Sequence, residues 1–137
     1  MYEVKTLPVL GFDVLDNDHD ELFDMITLLR RAREGEFLAQ LSVLRHKAQL
    51  HFAFEDAQMA SGDFPTRQCH LDEHAAVLAS IEEVLQLVAK GDFIVGQRLA
   101  VELERWFPAH IEALDQALTQ WLFKCATSGG NAVVFRR

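Results

Sequence analysis

At 137 residues, with 50% hydrophobic and 9% aromatic side chains, the chain is long enough for one globular domain and too apolar for a disordered protein. Its net charge of −8 disfavours nucleic acid and anionic membranes as partners, because an acidic surface attracts neither. Two cysteines without a CxxC pattern exclude a disulfide framework, and no apolar run reaches signal-peptide or membrane-span length, so we expect a cytoplasmic protein.

The chain divides into three parts. Residues 1–15 carry a proline and a glycine and predict an extended N-terminal arm that lies over the domain. Residues 16–123 show the periodic apolar pattern of a folded domain. Residues 124–137 predict a C-terminal tail, which we interpret as a loose terminus, the alternative being a patch that docks on a protein partner. We expect a monomer or a weak oligomer.

The first helix is predicted over residues 18–33. The run Asp-Asn-Asp at 16–18 is typical of a helix N-cap, because short polar side chains accept hydrogen bonds from free backbone N–H groups. Apolar residues recur at helical spacing after this run, and Gly35 is the predicted stop signal.

Three further helices are predicted from apolar residues at helical spacing, over residues 37–60, 65–89 and 93–123. Gly91 marks the end of the third helix, and Asp92 is a suitable cap for the fourth. No segment alternates with period two over a useful length, so no sheet is expected. The predicted fold class is therefore all-α, an up-down-up-down antiparallel four-helix bundle with short loops.

Pro108 conflicts with the pattern of the fourth helix. Inside a helix a proline removes one hydrogen bond and clashes with the preceding turn, at a cost of about 3 kcal/mol. The sequence therefore predicts a kink or a break near residues 104–108.

The histidines form the most informative pattern. His51 and Glu55 lie four residues apart, as do His70 and His74, so each pair shares one face of its helix. His46 lies five residues before His51, about 140° round the same helix, and is predicted to be a surface residue.

Three further donors extend the pattern: His19 on the first helix, and His110 and Asp115 on the fourth. In an antiparallel bundle all these positions fall at a similar depth. Five imidazoles and two carboxylates are costly to bury in one layer without a cation, so the pattern predicts a metal site. Spacing alone does not pair His110 with Asp115, since they lie about 140° apart on an ideal helix.

The number of donors indicates two ions with bridging carboxylates rather than one ion. Nitrogen and oxygen donors with more than four positions per metal favour iron over structural zinc, which is usually tetrahedral and often bound by cysteine. A zinc-filled or metal-free bundle is the alternative.

These motifs, in this order, resemble the hemerythrin family, most closely its single-domain bacterial type. The resemblance covers about residues 9–122, and every ligand position of the family is filled in order. It rests on Asp18-His19 before Leu22-Phe23, on His51-Phe52-x-x-Glu55-Asp56-x-x-Met59, on Pro65 and His70-x-x-x-His74, and on Trp106-Phe107-x-x-His110-Ile111-x-x-x-Asp115.

The resemblance implies a non-haem centre of two iron ions joined by an oxo or hydroxo bridge. It assigns one iron to His70, His74 and His110, the other iron to His19 and His51, and both carboxylate bridges to Glu55 and Asp115. Six ligands then surround the first iron and five the second. The family binds dioxygen reversibly at the position that is left open.

The resemblance also implies an apolar wall around that open position, formed here by Phe52, Trp106 and Phe107. A dry wall excludes water and protons and so slows oxidation of the iron. Phe107 stands where a leucine is usual in the family, and its larger ring is expected to narrow the pocket.

Reversible dioxygen binding, for transport or storage, is the leading functional hypothesis, and no catalytic residue is assigned. A sensor of oxygen, nitric oxide or redox state, acting through a partner, is the first alternative. A di-iron oxidase or peroxidase is less favoured, because such bundles typically use four carboxylates and two histidines, whereas this chain offers two carboxylates.

Overall fold

The fold is known from a computed structural model that describes residues 7–60 and 64–127, with side chains up to Lys124. The helices are α1 (Asp13–Arg31), α2 (Glu34–Ala60), α3 (Arg67–Ala89), α4 (Phe93–His110) and α5 (Gln116–Thr127). A π-helical segment, Ile111–Asp115, joins α4 to α5, so these three elements form one long fourth helix. No strand occurs in the described part of the chain.

Each of the helices α1 to α4 packs on the next one in the chain, and α4 also packs on α1, so the four helices form a closed bundle. The connections are short, so consecutive helices run in opposite directions. The predicted all-α four-helix bundle is confirmed. Within residues 7–60 and 64–127, no helix combines the length and the apolar character needed to cross a membrane.

Helix α1 begins at Asp13, five residues before the predicted start, and the predicted N-cap run lies inside it. The Asp16 carboxylate instead accepts hydrogen bonds from the backbone N–H groups of Leu10 and Gly11, at 2.9 and 3.1 Å. Asp16 therefore holds the preceding segment, which turns at Gly11 with a φ of 87°. The N-cap prediction was therefore wrong: of the three residues, Asp16 accepts backbone hydrogen bonds, but from residues that precede the helix.

Two other predicted helix ends have opposite outcomes. α1 ends at Arg31 and α2 begins at Glu34, so Gly35 lies in the first turn of α2 and is not a stop. At the other connection Gly91 has a φ of 103°, and the Asp92 carboxylate accepts from the N–H of Val95 at 3.1 Å. The predicted end of the third helix and the cap of the fourth are confirmed.

Pro108 does not break the fourth helix, which stays α-helical through residues 104–108. The N–H of Ile111 donates to the carbonyl oxygens of Phe107 and Pro108, and these bonds carry the helix past the proline. The departure from α geometry comes after it, where the N–H of Gln116 donates to the carbonyl oxygen of Ile111. The predicted irregularity was therefore misplaced by a few residues.

The apolar core forms two clusters along the bundle axis. The large cluster runs from Phe52 and Phe107 to Phe37 at the far end. The small cluster consists of Met59, Phe64, Leu118 and Leu122. On α2 and on the fourth helix, buried polar residues, among them Glu55 and Asp115, lie between the two clusters. We call these buried polar residues the polar layer.

Residues 1–6, 61–63 and 128–137 fall outside the described part of the chain. The predicted C-terminal tail, residues 124–137, lies mostly outside the described residues. Its first four residues belong to α5, which ends at Thr127. The three-part domain division and the cytoplasmic location stay predictions.

Candidate metal centre

The polar layer contains every donor residue that the sequence suggested for a metal site. All of them are buried: His19 on α1, His51 and Glu55 on α2, His70 and His74 on α3, His110 on α4, and Asp115 at the end of the π-helical segment. Two pairs share a helix face, as their spacing of four residues predicted.

The two carboxylates lie at the middle of this group, with imidazole nitrogens around them. Asp115 oxygens lie 3.1 Å from His19 Nε2, 2.9 Å from His70 Nε2 and 3.3 Å from His110 Nε2. Glu55 Oε1 lies 3.2 Å from His51 Nε2 and 3.3 Å from His74 Nε2. All five imidazoles therefore aim Nε2 at a carboxylate.

These donors form two overlapping groups, in each of which the donor atoms lie within 4.8 Å of one another. One group is Glu55, His70, His74, His110 and Asp115, and the other is His19, His51, Glu55 and Asp115. Both groups contain both carboxylates. Such an arrangement suits a pair of cations with two shared carboxylate bridges.

The π-helical segment explains a pair that spacing alone did not predict. His110 and Asp115 lie five residues apart, which places them on different faces of an α-helix. The segment Ile111–Asp115 is π-helical, and the N–H of Gln116 donates to the carbonyl oxygen of Ile111, five residues before it, so residues five apart come close to one face of the helix. The wider turn brings the Asp115 carboxylate to 3.3 Å from His110 Nε2.

Bound cations would also satisfy buried nitrogen and oxygen atoms of the layer that have no hydrogen-bond partner. Among the buried atoms without a hydrogen-bond partner in the described part of the chain are His19 Nε2, His51 Nε2, His70 Nε2 and both carboxylate oxygens of Glu55 and of Asp115. Buried polar atoms of this kind cost a few kcal/mol each when nothing binds them. Nitrogen lone pairs and carboxylate oxygens that converge in this way are the donors that iron takes in proteins.

The ionisation of the two carboxylates agrees with that fit. Burial acts to lower the pKa of His51 and of His110, but the carboxylates of Glu55 and Asp115 beside them raise each pKa above its usual value. Burial acts to raise the pKa of Asp115, but the imidazoles of His110, His19 and His70 beside its oxygens hold that pKa well below its usual range. In Glu55 burial and the Asp115 charge act upward, yet His51 keeps the pKa lowered. Both carboxylates are therefore ionised at neutral pH, the form that binds a cation.

Three of the imidazoles also have a carboxylate on their outer nitrogen. The Nδ1 atoms of His51, His74 and His110 lie 3.0, 2.8 and 2.7 Å from carboxylate oxygens of Asp18, Asp56 and Glu73, respectively. Partners of this kind fix the ring orientation and the tautomer of a ligating histidine. Lys47 Nζ lies 3.7 Å from Asp18 and 2.6 Å from Glu21, so one of these carboxylates has a cation behind it.

The role of these outer carboxylates was not predicted from the sequence, although a signal for them exists. Asp18 directly precedes His19, Asp56 directly follows Glu55, and Glu73 directly precedes His74. A residue next to a ligand lies about 100° round the helix and so faces the neighbouring helix instead of the centre. In each case the carboxylate pairs with an imidazole of another helix.

The predicted pocket wall lies directly against the imidazoles. Phe107 packs edge-on to His19, with ring centroids 5.6 Å apart, and Phe52 stacks on His74 at 4.1 Å. Trp106 stacks on His110 at 4.5 Å. All three aromatic residues line a cavity of about 20 Å³, whose other lining residues, among them Leu22, Ile26, Val77 and Leu103, are also apolar.

His46, the histidine that was predicted to lie outside the site, is exposed on α2. That prediction is confirmed.

Comparison with known proteins agrees with this geometry. Residues 10–122 match the family model described as the hemerythrin HHE cation binding domain. The chain belongs to the hemerythrin family. It is 36% identical over 113 residues to a bacteriohemerythrin of Ralstonia nicotianae, which covers 82% of each chain. It is also 30% identical over 109 residues to a bacteriohemerythrin of Pseudomonas paraeruginosa, covering 77% of this chain and 71% of that protein.

A bacteriohemerythrin of Campylobacter jejuni subsp. jejuni is 25% identical over 114 residues, which are 80% of this chain and 86% of that protein. The family membership and the buried cluster of histidines and carboxylates together support a hemerythrin-type protein with a non-haem iron site.

Proposed function

We propose that this hemerythrin-family protein binds dioxygen reversibly at a non-haem di-iron centre. The proposed ligands are His70, His74 and His110 for one iron and His19 and His51 for the other, with Glu55 and Asp115 as bridges. The observation that carries the proposal is the pair of overlapping donor groups that share both carboxylates. If two irons with an oxo or hydroxo bridge were bound, His19 and His51 would hold the iron that has room for one further ligand.

When bound, such an iron pair with one open position supplies reversible binding of a diatomic gas. The side chains that surround the site determine whether that binding stays reversible. His19 and His51 would hold the iron that binds the gas, and the Phe107 ring packs against His19. The apolar ring of Phe107 keeps water and protons away from this side of the centre.

The apolar cavity supports a small, uncharged ligand. Its volume of about 20 Å³ exceeds the roughly 10–15 Å³ that one water-sized molecule needs. Phe52, Trp106 and Phe107 belong both to the cavity lining and to the ring contacts of the site, so the cavity lies beside the imidazoles. Dioxygen and nitric oxide fit such a space, whereas a larger organic substrate does not.

Binding is favoured over catalysis by the charge of the donor set. Di-iron oxidases in related bundles typically place four carboxylates and two histidines around the metals. Here two carboxylates and five histidines converge, so less negative charge is available to stabilise highly charged iron. We therefore propose a binding protein rather than an oxidase or peroxidase.

The test is an oxygenation experiment with the full chain. The protein is loaded with ferrous iron without air, air is admitted and then removed, and the visible charge-transfer band is followed. A band that appears with air and disappears when air is removed is the expected result. The carrier proposal fails if no band forms, or if the band never reverses.

A sensor would share this centre, so oxygenation alone does not separate it from a carrier. A protein partner that binds through residues 124–137 only in the oxygenated state would favour the sensor. Steady consumption of oxygen with an added substrate would favour an enzyme.

A further inference from the structure

One carboxylate oxygen of Glu73 joins two groups of α4. His110 Nδ1 lies 2.7 Å from Glu73 Oε1, and the indole N–H of Trp106 donates to the same oxygen at 2.9 Å. Trp106 and His110 lie one turn apart, and their rings stack with centroids 4.5 Å apart and 26° between planes. Glu73, on α3, therefore holds a proposed iron ligand and a residue of the cavity wall at the same time.

Trp106 is central to that wall. Its ring centroid lies 6.0 Å from that of Phe107 and 6.3 Å from that of Phe52, and all three residues line the cavity. The indole is partly buried, and its N–H needs an acceptor to stay in this position. Glu73 supplies the acceptor. Without it, the N–H would have to turn toward water, which reaches this edge because the Glu73 side chain is 33% exposed.

We propose that Glu73 is a positioning residue that couples the orientation of Trp106 in the cavity wall to the orientation of His110 at the centre. The inference rests on the proposed di-iron function. Loss of the acceptor releases the imidazole and the indole together. The released imidazole holds iron less firmly, and the displaced indole admits water to the cavity.

The first test needs no metal and follows the tryptophan fluorescence of the iron-free protein. The chain contains two tryptophans, so a Trp121→Phe background leaves Trp106 as the only tryptophan, which is excited selectively at wavelengths that tyrosine does not absorb. We expect Glu73→Ala to shift the emission to longer wavelength, because the indole becomes wetter. Glu73→Gln, which keeps an acceptor oxygen, should leave it unchanged, as should Glu83→Ala, an exposed glutamate on the same helix. Unchanged emission in a folded Glu73→Ala protein would overturn the proposal.

The second test is a double-mutant cycle of Glu73→Ala and Trp106→Phe in the iron-loaded protein. Iron release to a chelator should be about tenfold faster in Glu73→Ala, the lower end of the effect of such partners, and should change equally in both backgrounds. Oxidation of the ferrous protein in air should also be faster in Glu73→Ala. Most of that second effect should vanish when Trp106 is already phenylalanine, because the indole N–H that Glu73 holds is then gone.

The two proposals fail in different ways. If the wild type holds no iron, the di-iron function fails, whatever the fluorescence shows. If the wild type holds iron but the effects of the two substitutions on oxidation are independent, Glu73 acts on His110 alone and the coupling is refuted.

Discussion

The two apolar clusters of the bundle differ in how they are held. The large cluster, from Phe52 to Phe37, is formed by apolar side chains of all four long helices. Gly96 of α4 allows a close approach there, since a Cβ at this position would lie 2.6 Å from the Phe37 ring. The small cluster, with Met59 and Leu118, lies beyond a layer of buried imidazoles and carboxylates.

The difference shows which part of the protein depends on metal. The large cluster can form from hydrophobic burial alone. The small cluster is joined to it through a layer whose buried donors are unsatisfied unless a cation binds them. We therefore expect the large cluster to fold independently of iron and the small cluster to require iron for stable packing.

The largest expected effect is a loss of iron when a carboxylate of the polar layer is removed and both apolar clusters are left intact. Glu55→Ala or Asp115→Ala removes a shared carboxylate, so each should reduce iron from about two ions per chain to one or fewer. Elemental analysis of the purified variants measures this. His46→Ala is the matched control, because that imidazole is exposed on the same helix as Glu55. An equal loss of iron in the control would refute the assignment of the inner face of α2.

The next effect separates stability from metal binding. Phe37 is fully buried in the large cluster, far from the donors along α2. Phe37→Ala should cost about 3–5 kcal/mol of unfolding free energy, through lost burial and the cavity left behind. Iron content per folded chain should stay the same. Denaturant unfolding and iron analysis on one preparation check both statements, and a proportionate fall in iron would show that the ends are not independent.

Removing iron with a chelator should sharpen the contrast between the clusters. Amide hydrogen exchange should become faster in α5 and at the end of α2 near Met59, where the small cluster packs. Exchange around Leu41 in the large cluster should change much less. Uniform acceleration along all the helices would contradict this division of the bundle.

The smallest effect concerns the cavity between the large cluster and the site. Phe107→Leu shortens a wall residue that packs on His19, and should cost about 1 kcal/mol of stability. It widens the cavity, so water should reach the centre more often and the ferrous protein should oxidise faster in air. Stopped-flow and slow absorbance measurements check the change. Slower oxidation would show that the Phe107 ring does not keep water away from the proposed iron site.

The parts of this structure that follow regular periodicity could be predicted from the sequence. The burial of Leu41, Leu44, Ala48, His51 and Glu55 on α2 follows from one face of an α-helix, and so does the exposure of His46. Gly91 and Asp92 were predicted because a positive φ and a side-chain acceptor are local requirements.

The parts that depend on departures from periodicity could not be predicted from spacing. The start of α1 depends on whether Asp16 bonds backward or forward, which local composition does not decide. The meeting of His110 and Asp115 needs a π-helical turn, and only the family resemblance placed them together before the structure did. The role of Glu73 depends on contacts between two helices, which one helix's pattern does not contain.

Iron content of the purified full chain tests the central claim most directly. The account predicts about two irons per chain, because two donor groups share their carboxylates and need two cations to satisfy all their atoms. A single metal per chain, or zinc in place of iron under iron-replete expression, would contradict it.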